Sequence, residues 1–145
     1  GVLAEVGIFL IARRLISQFG VWNLLFVSIA LTGLRWYVMA AFADTFMVIV
    51  LSQLIHALSF GLTHAVSVHF IHQFLPKAYQ SRGQAVYISI AFGLGGAFGN
   101  YMAGQQWQQG TNAYETFVTA AVFAAIGALS LLLCSKKEME SAKAA

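Results

Sequence analysis

A chain of 145 residues with 59% hydrophobic and only 9% charged residues, a net charge of +3 and a mean hydropathy of +0.75 lies far from the usual soluble balance of about 25% charged residues. A water-soluble domain is nearly excluded, and the lipid bilayer is the expected solvent. One proline and one cysteine exclude collagen-like, proline-rich and disulfide-stapled classes, and a charge of +3 is too small to argue for a nucleic-acid partner.

Five apolar stretches follow one another: 2–19, 21–42, 46–71, 84–104 and 114–134, with a polar tail at 135–145. Each suits one crossing of about 20 residues, so the expectation is an all-α membrane protein, a polytopic bundle of about five transmembrane helices. No ten-residue alternation of the kind a membrane barrel needs is present. The breaks carry helix-stopping residues: Gly20, Ala43-Asp44-Thr45, Pro76-Lys77 and the run from Gln108 to Asn112. Threading five spans puts Arg13, Arg14, Lys77, Arg82, Lys136, Lys137 and Lys143 on one side, which predicts a cytoplasmic C-terminus. Trp22, Trp36, Tyr37, Tyr79, Trp107 and Tyr114 fall near span ends, as an interfacial belt would. Only twelve residues precede Arg13, about 18 Å of helix against a core of about 30 Å, so the chain reads as the C-terminal piece of a longer protein.

Charges inside a span cost roughly 2.5–3.5 kcal/mol each at a helix centre and therefore face a cavity or a partner. Glu5, Arg35 and His56 qualify. Glu5 lies about 12 Å inward of Arg13, and His56 about 18 Å inward of Asp44, so both reach mid-depth; Arg35 lies about 13 Å from Asp44. They read as a Glu–Arg–His constellation lining a polar path, or as a structural ion pair that locks helices together. Ser52, His56, Ser59, Thr63 and Ser67 recur at spacings of 4, 3, 4 and 4, which places them on one stripe of the third span. The stripe faces a cavity, or its hydroxyls bond their own helix carbonyls. His64 lies off the stripe by about 80° and nearer the cytoplasmic side.

Gly93, Gly95, Gly96 and Gly99 do not fit a nucleotide-binding fingerprint. Gly95 and Gly99 instead predict a face for close helix packing. The four histidines of the third span lack matching ligands on a second helix, so neither a metal nor a haem is expected. No nucleophilic triad can be composed, and no enzymatic activity is expected.

Ala4-Glu5-Val6, then Leu34-Arg35-Trp36, then Leu54-Ile55-His56-Ala57-Leu58-Ser59-Phe60 resemble the C-terminal half of a major facilitator superfamily transporter. The resemblance covers Gly1 to about Cys134 and is nearest the branch of the phenylpropionate and lactose permeases, which are proton symporters. It implies that the spans are the eighth to twelfth helices of a twelve-helix carrier, with Glu5, Arg35 and His56 at the positions used for substrate recognition and proton coupling. The sugar-permease pattern places a second glutamate one turn after the histidine, where this chain has Ser59; a hydroxyl there, together with His64, is closer to the phenylpropionate branch. The implied function is proton-coupled symport of a small organic solute, an aromatic acid, sugar or nucleoside, by alternating access. Its implied partners are that substrate, the bilayer and an N-terminal half of the same chain, with protons as coupling ion, no other cofactor, and a bacterial inner membrane as location. Arg35 would then anchor an anionic substrate or hold Glu5 ionised. The competing expectation is a non-transporting membrane subunit or scaffold whose ion pairs are structural.

Overall fold

The computed structural model describes residues 2–141, and the described residues are helical with no strand. Helix α1 spans Val2–Phe19, α2 Val21–Phe42, α3 Phe46–Phe74, α4 residues 77–107, α5 Ala113–Leu131 and α6 Lys136–Ser141. Each junction has a local cause. Gly20 takes φ 79°, a conformation closed to most side chains. Leu75 is extended, at φ −102° and ψ 139°, as the residue before Pro76 must be. Beyond α4, Gln108, Gln109 and Gly110 all take positive φ and turn the chain back toward α5.

By length and composition three helices can cross a membrane: α2, α3 and α5. Five spans were expected, and the difference lies in α1 and α4. Helix α1 holds Glu5, Arg13 and Arg14 within 18 residues, while α4 extends its apolar middle at both ends with polar residues such as Gln80, Arg82 and Gln105. Helix α3 also runs three residues past the expected end, to Phe74.

Helix α2 is the hub, packing most extensively along α5 and also against α1, α3 and α6. The buried core joins Ile8, Val21, Leu24, Leu25, Ala57, Leu62 and Val66, with Leu131 and Met139 packed against it. Most other large apolar side chains are exposed, which suits helices solvated by lipid. Lipid tails give apolar helices no reason to associate, so close backbone approach carries the packing. It occurs on the α2–α5 seam: a Cβ on Gly33 would stand 3.5 Å from the Ala121 carbonyl and from the Ala124 Cβ, and one on Gly127 would stand 3.6 Å from Ile29. Gly33→Leu is therefore expected to overpack this seam and cost about 1–3 kcal/mol, read as a lower thermal midpoint in detergent. Gly95 and Gly99 behave differently. A Cβ on Gly99 would meet nothing within 4 Å and one on Gly95 only a carbonyl of its own helix, so neither makes the expected close contact with another described helix. They instead line a crevice of about 370 Å³ between α4 and α5.

Helices α3 and α4 each contain one wide π-helical turn, Ala57–Gly61 and Ser89–Leu94. Such turns re-aim side chains and are frequent at functional sites. Here their Phe60 and Phe92 rings meet edge to face at 5.7 Å.

Candidate functional site

A cavity of about 780 Å³ opens between α2, α3, α4 and α5. Arg35, His56, Ser59 and His64 all line it, together with Trp36 and Tyr87. Glu5 reaches the same region from α1, which passes Gly61 of α3 closely enough that a Cβ there would touch the Glu5 Cγ at 3.6 Å. Glu5 Oε1 thereby comes within 3.6 Å of His56 Nε2. Both side chains are partly exposed, 22% and 30%, so the pair sits on a wall rather than sealed in the core.

The carboxylate partner is thus the histidine. No carboxylate lies within 4.0 Å of the Arg35 guanidinium among the described residues, and the expected pairing of Glu5 with Arg35 is absent. Arg35 Cζ lies 4.1 Å from the centre of the Trp36 ring, a cation–π contact. Trp36 stacks in turn on Phe117 at 5.6 Å, and Phe117 meets Trp107 at 6.0 Å. Arg35 is 8% exposed and its Nε has no hydrogen-bond partner. The Nδ1 of His56, whose ring stacks on Phe60 at 5.1 Å, is likewise without one. Buried polar groups are normally satisfied, so two buried nitrogens without partners among the described residues, on side chains that line one cavity, are unusual.

The hydroxyl stripe divides. Ser59 and Thr63 line the cavity beside His56, whereas Ser52 lies in a separate apolar crevice. The hydroxyl protons are largely spent on their own helices: Ser52 donates to the Ile49 carbonyl at 2.7 Å and Ser59 to the His56 carbonyl at 3.2 Å, and Thr63 bonds the Ser59 carbonyl. Thr63 also bonds the fully buried Ser28 hydroxyl at 2.8 Å, which ties α3 to α2 between the levels of Arg35 and the core.

At the other end of the cavity, His64 stands 3.4 Å from the Tyr87 hydroxyl and 5.7 Å from the Phe92 ring. His56 and His64 are eight residues apart, about 12 Å along α3. One end of the cavity is therefore cationic and the other aromatic. Trp36, near a span end, fits an interfacial belt by sequence, but Trp and Tyr also line substrate pockets, and here Trp36 lines the cavity; Phe60 and Phe92 carry no sequence signal of their own. Among the described residues, no group of three or more His, Cys, Asp or Glu could hold a metal ion.

Residues 1–119 match the MFS_1 like family. The chain belongs to that family. It is a membrane-embedded, all-α portion of a major facilitator superfamily fold, and the same comparison agrees with its apolar helices. The chain is also similar to a maltose permease of Geobacillus stearothermophilus, 28% identical over 130 residues. That match covers 88% of this chain but 32% of the permease, so the chain spans about a third of its relative's length. No solved structure matches it significantly.

Proposed function

We propose that this chain supplies one wall of the central cavity of a proton-coupled symporter for a small organic solute, working by alternating access in a bacterial inner membrane with the tail in the cytoplasm. The observation that carries the reading is the unpaired, buried Arg35 beside a separate Glu5–His56 pair. A guanidinium over Trp36 that lines the cavity with no carboxylate partner among the described residues supports recognition of an anionic group, and the rings of Phe60, Phe92 and Tyr87 support an aromatic body behind it. Among aromatic acid, sugar and nucleoside, an aromatic acid fits these groups best. Glu5 is the proton carrier, and His56 the neighbour 3.6 Å away whose interaction with it changes when it takes up a proton.

A sugar is the second reading, favoured by the similarity to a maltose permease. The lining supports it less well. A sugar needs many acceptors for its hydroxyls, whereas no Asp, Glu, Asn or Gln lines this cavity and the nearby hydroxyls already bond helix carbonyls. The full-length parent, reconstituted in liposomes, is expected to take up an aromatic acid faster when protons are driven inward, with sugars and nucleosides as comparators. Gradient-dependent uptake of a sugar alone would transfer the reading to that class. A flat response in a folded preparation would favour a structural subunit, in which joint replacement of the paired Glu5 and His56 by apolar residues leaves stability intact.

A further inference from the structure

The start of α2 has no cap of its own. The first N–H groups of any helix lack partners within it, and Gly20, which precedes α2, has no side chain to supply one. Glu140, on α6, fills the gap from the far end of the chain. Its Oε2 accepts from the Val21 amide at 3.2 Å and its Oε1 from the Trp22 amide at 3.0 Å. A carboxylate there also meets the positive end of the helix dipole. The φ of 79° at position 20 favours glycine, and a Cβ there would push the Glu140 carboxylate out of its place on the Val21 and Trp22 amides.

Other contacts hold α6 in the same place. Lys136 Nζ donates to Asn23 Oδ1 at 2.9 Å and stands 5.5 Å from the Trp22 ring. The Trp22 indole donates to the Leu131 carbonyl at 3.3 Å. Met139 packs against the core and shares a crevice with Phe70 and Phe74 at the end of α3. The ends of α3 and α5 and the turn between α1 and α2 are thereby joined through six residues of tail.

We infer that α6 is an intramolecular strap, with Glu140 as its buckle: docked, it fixes the turn between α1 and α2; released, it frees that turn. The turn, at the basic end of the bundle, joins the helices that bear Glu5 and Arg35, so the strap sets how readily those two helices move relative to one another. This goes beyond the transport reading and holds whatever the cargo is.

Residue-resolved hydrogen exchange on the full-length parent in detergent tests it without any substrate. Glu140→Ala is expected to speed exchange at Val21 and Trp22 about tenfold, with Glu140→Gln falling between, while amides 28–35 keep their rates. Truncation after Ser135, which removes α6 and leaves α5 whole, should give the same pattern. Unchanged protection of Val21 and Trp22 in either variant would overturn the strap, and so would an increase spread evenly along α2.

Discussion

Arg35→Ala in the full-length carrier is expected to lower the initial rate of aromatic-acid uptake by about 100-fold or more, as removing one member of a buried charge interaction generally does. The expectation follows from the setting of the residue. Arg35 is buried, has no carboxylate within 4.0 Å among the described residues, and keeps an unsatisfied Nε beside the cavity. Arg35→Lys should restore only a small part of the rate, because an ammonium cannot bond an anion through two parallel N–H groups. Uptake assays across both variants check this. Equal rates for arginine and lysine would show that bare charge is enough, and an active alanine variant would remove Arg35 from the site.

Glu5→Gln is expected to separate coupling from movement. Glutamine has nearly the shape of glutamate and can still reach His56 from beside Gly61, but it carries no titrating proton. Accumulation against a gradient should therefore be lost, while exchange of internal for external substrate at equal concentrations persists within about threefold of the parent. Counterflow measured beside gradient-driven uptake reads the two apart. If both fall together, Glu5 holds the structure or the substrate rather than the proton; if neither falls, the proton travels elsewhere.

The membrane class was legible in the scarcity of charge, and the turns in Gly20, Pro76 and the polar run after Trp107. What set Glu5, Arg35 and His56 apart was the cost of a charge in lipid, and that signal does not depend on knowing which helices touch. Pairing does depend on it. Sequence spacing put Glu5 and His56 at mid-depth and Arg35 nearer Asp44 but could not say that α1 lies against α3 at Gly61, with Glu5 beside His56 and Arg35 over Trp36. Gly95-x-x-x-Gly99 has the spacing of a packing face, while among the described helices close contacts fall at Gly33 and Gly127, where a small residue on one helix meets the backbone or a branched side chain of another. The docked tail was hidden as well, since nothing in Lys136–Ser141 announces that Glu140 completes a helix beginning at Val21.

Proton coupling through this cavity is tested most directly by proton flux itself. A pH electrode in a lightly buffered suspension of liposomes carrying the full-length parent, with charge movement compensated by a potassium ionophore, should record an external alkaline transient on addition of the aromatic acid. Glu5→Gln liposomes should record none. Uptake of the labelled acid with no alkaline transient in the parent would contradict coupling to protons, and a transient of full size in Glu5→Gln would contradict the assignment of Glu5 as its carrier.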